Sequence, residues 1–216
     1  MQGNSNDARS KIHRWPHIFW AMLFFALIMV CLWWLIENWL FVLFILCGMF
    51  YLNVHYKEGL SKIGFRPDNI SRCFSECLKY LVAVVGVLAL FGAKFGTNRL
   101  PLSLLRAMFL YLLFCAIQQY ILNGFFVNRL VSFYGEENNP KIPTIIAGSF
   151  ALAHLPNWFL MIVTFLCGYI CVRVFLKYRN LYFLIPAHFI IGSMLNLVVP
   201  HWIIRHLIVG PYYFSQ

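Results

Sequence analysis

The sequence predicts an all-α, polytopic bundle of about eight transmembrane helices with its N-terminus in the cytoplasm. Three observations predict it. Of the 216 residues, 62% are hydrophobic and only 11% are charged, where a soluble domain carries about 45–50% and about 25%. The apolar residues fall in runs that approach the roughly 20 residues a spanning helix needs. Lys and Arg collect on alternate connections between those runs, as cytoplasmic loops do. A soluble fold has too little interior to hide this much apolar surface. The composition therefore excludes a soluble globular enzyme, a disordered chain and a disulfide-knotted secreted module.

In chain order the runs are 18–36, 39–56, 80–95, 104–133, 142–155, 158–175, 181–199 and 202–213. The fifth and last are short, and the fourth is long enough to tilt or to emerge from the bilayer. The first is too long for a signal-peptide core, and no small-residue cleavage site follows it. Glu37 and Asn38 fall between the first two runs and predict a tight turn. The sequence divides into a cytoplasmic tail, 1–17, and a single transmembrane domain, 18–216. The polar stretch from Lys57 to Lys79 is the longest connection. Its part from Arg72 to Lys79 has helical spacing, which suits an interfacial helix on anionic lipid or a solvated connector equally well.

Charge sets the orientation. With the N-terminus inside, twelve cationic residues lie on inner segments: Arg9, Lys11, Arg14, Lys57, Lys62, Arg66, Arg72, Lys79, Lys141, Arg173, Lys177 and Arg179. Only Lys94, Arg99 and Arg106 lie outside. Arg129 falls near the inner end of the fourth helix, and Arg205 lies in the weak last segment. The net charge of +10 thus reads as topology, not as nucleic-acid binding. Seven cysteines give no disulfide framework. Cys73 and Cys77, spaced i, i+4, lack the further ligands a zinc site requires.

Polar groups deep in a bilayer cost free energy unless they are partnered or line a cavity, so they mark the candidate site. Gln118 and Gln119 sit in the fourth helix, with Asn123 one turn beyond Gln119 and on its face. His154 closes the fifth helix, four residues after Phe150 and just before the helix-breaking Pro156. Asn157 is placed to cap the helix that follows. His188 lies in the seventh helix, with Gly192 and Asn196 at i+4 and i+8. At 1.5 Å per residue, Gln119 lies roughly 21 Å, His154 roughly 18 Å and His188 roughly 10–12 Å from the inner ends of their helices. These depths can meet in one intramembrane cavity. Two imidazoles and neutral amides make a poor metal site, so no metal and no cofactor is expected. Glu136 and Glu137 fall in a Gly/Asn/Pro turn and read as solvated.

This constellation resembles the CAAX-protease and bacteriocin-processing family of intramembrane endopeptidases, also called the abortive-infection family. Its members carry Glu-Glu followed by Arg-Gly on one helix, then Phe-x-x-x-His, then His-x-x-x-Asn/Asp. Here the first motif aligns with Gln118-Gln119 through Asn123-Gly124, and the second with Phe150 through His154. The third is matched at His188 but ends in Gly192. The resemblance covers roughly residues 60–196.

It implies an endopeptidase acting on membrane-embedded or lipid-anchored peptides, in a bacterial cytoplasmic membrane. In the family a Glu activates water while His and Asn stabilise the oxyanion. Both Glu positions are Gln here, and the Arg position is Asn123, so a buried ion pair is removed whole rather than broken. The catalytic candidates are Gln118, Gln119, His154 and His188. The expected cavity-lining residues are Asn123, Phe150, Gly192 and Asn196. Two readings follow: an endopeptidase with His154 or His188 as base, or a non-catalytic relative that binds a membrane peptide or lipid. A carrier is disfavoured because no internal repeat and no membrane-centre charge is present.

Overall fold

The computed structural model describes residues 14–35, 37–95 and 104–214. Arg9, Lys11, His13, Ile36 and Arg99 lie outside the described residues, as does most of the expected tail, and the side chains of Arg106 and His206 are likewise outside. Among the described residues every regular element is helical.

Helix α1, Trp15–Val30, carries Pro16 in its first turn, where a missing N–H costs nothing. It continues into a π-helical turn, Cys31–Leu35. Asn38 then caps α2, Trp39–His55, by accepting a hydrogen bond from the Phe41 amide at 3.2 Å. The short α3, Leu60–Ile63, ends at Gly64 with φ +119°. A Cβ there would lie 2.5 Å from Leu181 and 2.8 Å from the Phe175 ring. Only glycine gives both this backbone conformation and this approach. The Leu181 amide donates to the Gly64 carbonyl at 2.7 Å, which ties the connection to the far end of the chain.

Helix α4, Ile70–Phe95, has 26 residues. The segment 72–79 is therefore neither a solvated connector nor a separate interfacial helix. No Gly or Pro interrupts the sequence between Ile70 and Val85, so the span begins ten residues before the apolar run does. Cys73 and Cys77 turn inward while Arg72, Ser75 and Lys79 stay exposed.

The fourth run forms one rod. It comprises α5, Leu104–Gln119, a π-helical stretch, Tyr120–Val127, and α6, Asn128–Tyr134. Helix α7, Lys141–Leu152, leads through residues 153–157 to α8, Trp158–Tyr178, and α9 is Leu184–Val198. The eighth run does not form a span. After Pro200 come only α10, His201–Ile204, and the 3-10 turns Arg205–Leu207 and Gly210–Phe214. Arg205 and Leu207 take φ of 45° and 61°, and Gly210-Pro211 prevents any helix from continuing.

Four helices are long and apolar enough to cross a membrane: Trp15–Leu35, Ile70–Phe95, Met108–Tyr134 and Trp158–Tyr178. With their exposed apolar faces, they make the chain an integral membrane protein. Helices α2, α7 and α9, of 17, 12 and 15 residues, are shorter and complete the bundle. α7 packs on α8, α9 packs against α4 and α5, and α1 lies along α6. The π-helical stretch touches α2, α3, α7 and α8, so it is the centre of the bundle, with Leu122 through Val127 all buried.

One end of the bundle is clamped by polar side chains. Arg129 and Glu58 are both buried and pair directly. The Tyr56 ring lies 4.5 Å from the guanidinium, and Lys62 reaches the same carboxylate at 3.3 Å. Arg179 joins Asn128 to Glu137, the latter at 2.8 Å. Asn180 donates to the Arg66 carbonyl at 2.7 Å and to Asn69 at 2.8 Å. In the same connection the Arg66 guanidinium hydrogen-bonds Asp68 and holds its carboxyl below the usual range. The residues from 57 to 69 are thus bonded to the ends of α6 and α8.

Candidate functional site

The wide turn that opens at Tyr120 sets the position of Gln119, which is buried at the last residue of α5. π-helical insertions are frequent at functional sites because they turn side chains off the regular helical face. Asn123, fully buried, donates to the Gln119 Oε1 at 2.7 Å. The Gln119 Nε2 lies 3.1 Å from Nδ1 of His188 on α9. One neutral chain of hydrogen bonds therefore crosses from the bundle centre to the seventh apolar helix.

His154 stands just past the C-terminal end of α7, in the break before Pro156. Its Nδ1 lies 2.7 Å from the Phe150 carbonyl oxygen. A carbonyl only accepts, so Nδ1 carries the proton and a neutral ring keeps the Nε2 lone pair. At His188 the Gln119 amide donates to Nδ1, which puts the ring proton on Nε2. The Phe150 ring meets both imidazoles edge to face, with centroids at 4.8 Å and 6.0 Å. The two histidines thus present opposite hydrogen-bonding characters, one accepting and one donating.

Gln118, Gln119, His154, His188, Phe150 and Gly192 line one cavity of about 300 Å³ between the α1–α2 hairpin and helices α5, α7, α8 and α9. Its remaining wall is mainly apolar. Asn123 is not in that wall but stands behind Gln119. Asn196 is also outside it: eight residues at 3.6 per turn rotate it about 80° from the His188 face, whereas Leu195, one residue earlier, does line the wall. Among the described residues that line the cavity none is Asp, Glu, Lys or Arg. Glu76 instead pairs with Lys79 and Lys177 at 3.4 Å and 3.6 Å. Glu137 pairs with Arg179 at 2.8 Å. Among the described residues no three His, Cys, Asp or Glu are grouped as metal ligands.

Tyr111 and Cys171 are among the lining residues that were not singled out from the sequence. Tyr111 stands with its hydroxyl where a side chain at position 192 would begin, against the Gly192 backbone. Cys171 of α8 lines the same wall as Gln119. The signals were present: Tyr111, Cys115 and Gln118 follow i, i+4, i+7, and so do Thr164, Gly168 and Cys171.

Residues 100–194 match a family model described as type II CAAX prenyl endopeptidase Rce1-like. The matched segment holds every candidate site residue except Asn196. No curated protein and no solved structure gives a significant match. The segment that carries most of the candidate site is therefore similar to the CAAX-protease family.

Proposed function

We propose that the chain is a CAAX-protease-type intramembrane endopeptidase that takes a membrane-embedded or lipid-anchored peptide into the cavity of α5, α7, α8 and α9. The observation that carries this reading is the opposed pair of imidazoles on one apolar cavity. His154, with its Nε2 lone pair, takes a proton from water as the water attacks the peptide carbonyl, and returns it to the amide nitrogen as the C–N bond breaks and the amine leaves. His188 Nε2–H donates to the developing oxyanion, held in that tautomer by Gln119. Asn123 fixes the amide of Gln119 so that its nitrogen faces His188. Gln118 orients the water. A bacterial cytoplasmic membrane is the setting that the family resemblance implies.

A positioned general base contributes typically about 10²–10⁴-fold, so cleavage is expected to depend on His154 by that factor. A second reading, binding without cleavage, is favoured by one observation: no carboxylate lines the cavity among the described residues. Detergent-purified protein incubated with pooled membrane-segment and prenylated peptides, read by mass spectrometry, separates the two. Cleavage that is lost in His154→Ala supports the hydrolytic reading. Intact, crosslinkable peptide with turnover only in the Gln118→Glu, Gln119→Glu double variant supports the binding reading.

A further inference from the structure

The end of the α1–α2 hairpin carries a second cavity, of about 450 Å³, remote in sequence from every motif of the first. Trp33, Trp34, Trp39 and Tyr212 line it together with Glu37 and Asn38. It is assembled from two distant parts of the chain. The π-helical turn Cys31–Leu35 presents Trp33 and Trp34. The 3-10 turn Gly210–Phe214 brings Tyr212 across from the far terminus. That approach is close: at Gly210, with φ +67°, a Cβ would lie 2.7 Å from the Leu32 carbonyl oxygen. The Tyr212 hydroxyl donates to Glu37 Oε1 at 2.7 Å, which holds the carboxylate at the aromatic wall.

The composition of this wall points to its ligand. Four aromatic side chains line it, and one carboxylate adds a full negative charge. Among the described residues no Lys or Arg lines the cavity, although the chain as a whole carries +10. Aromatic faces grouped with a carboxylate attract ammonium ions, and methylated ammonium best, because such a cation is weakly hydrated and covers the ring faces. Helix α1 with its π-helical turn, Trp15–Leu35, spans 21 residues, so the site lies where that span leaves the bilayer, at headgroup level.

We propose that Trp33, Trp34, Trp39, Tyr212 and Glu37 form a binding site for an alkylated ammonium group at the membrane surface. The group belongs to a lipid headgroup or to a free quaternary amine, which share this chemistry. The site does not rest on the peptidase reading of the first cavity.

The test uses the full chain in maltoside detergent, with tryptophan fluorescence as readout. The probes are choline chloride, dihexanoyl phosphatidylcholine below its micellar concentration, and dihexanoyl phosphatidylglycerol. Glu37→Gln and Trp39→Ala are compared with the wild type, each checked for a monodisperse elution profile. Saturable binding of choline or of the phosphatidylcholine is expected, with at least tenfold weakening in either folded variant and no comparable response to phosphatidylglycerol. Response to the phosphatidylcholine alone assigns a lipid headgroup, and response to choline alone assigns a free amine. Three results overturn the proposal: no saturable response to either amine, an equal response to phosphatidylglycerol, or unchanged affinity in the variants. The last two would leave the tryptophans as an ordinary interfacial belt.

Discussion

Gln119 and His188 meet side chain to side chain at 3.1 Å although 69 residues separate them in sequence. The contact joins the last residue of α5 to α9, and Asn123 completes it from behind at 2.7 Å. Replacing Gln119 by Leu would strand the Asn123 amide and His188 Nδ1 inside the bundle. Each stranded polar group costs about 1–3 kcal/mol. Gln119→Leu is therefore expected to lower the thermal midpoint in detergent clearly. Gln119→Leu, Asn123→Leu is expected to lose less than the sum of its single variants. Strict additivity in that cycle would mean that the two amides are not coupled.

The Glu58–Arg129 pair gives a second cycle. Both side chains are buried, and removal of one partner from a buried pair costs about 3–5 kcal/mol because the other charge is left uncompensated. Arg129→Met should be severely destabilising. Glu58→Leu, Arg129→Met should recover much of the loss, since apolar replacement of a whole pair is often neutral. Chemical denaturation of Glu58→Leu, of Arg129→Met and of the double variant measures this. A double variant as unstable as Arg129→Met would show that the Tyr56 stacking, not the ion pair, supports the junction.

Much of this was legible in the sequence, and what was not has a common cause. Spans such as Trp158–Tyr178 follow from apolar runs bounded by Asn157, a capping residue, and by cations. The meeting of Gln119, His154 and His188 was expected from depths that helix tilt can reconcile and from the resemblance of their motifs to the family. Hydropathy could not show that α4 starts at Ile70, since its first turns are polar on one side yet bury Cys73 and Cys77 on the other. Nor could it show that Arg129 is wholly buried, because its partner Glu58 lies 71 positions away in a loop. The run 202–213 misled because its apolar content suits a helix while Gly210-Pro211 and the positive φ of Leu207 do not. In each case the deciding partner is distant in sequence or the deciding variable is backbone conformation.

Gly192 and Tyr111 yield a prediction about the third motif. The tyrosine hydroxyl fills the place of a side chain at 192, so Gly192→Asn forces the ring aside and overpacks the wall. Overpacking of this kind costs typically about 1–3 kcal/mol. Gly192→Asn, Tyr111→Ala has room for both changes and is expected to be more stable than Gly192→Asn alone. Thermal midpoints in detergent decide it. If Tyr111→Ala does not relieve Gly192→Asn, the two positions do not compete for space.

The first motif yields the last prediction. Gln119→Glu places a carboxylate at a position only 2% exposed, where burial disfavours its charged form. Asn123 still offers one hydrogen bond, but no cation lines the cavity among the described residues. Gln119→Glu alone should therefore lose stability, and Asn123→Arg alone should lose more, since it buries a cation with no partner. Together, one helical turn apart on one face, they rebuild an ion pair and should recover stability beyond additivity. Only the paired variant would then hold an ionised carboxylate facing His154 and His188, so its peptide turnover should exceed that of Gln119→Glu alone. A general base supplies about 10²–10⁴-fold, which sets the rise to look for by mass spectrometry. Stability that recovers without any rise in turnover would mean that the cavity holds peptide in a pose that a base at position 119 does not reach.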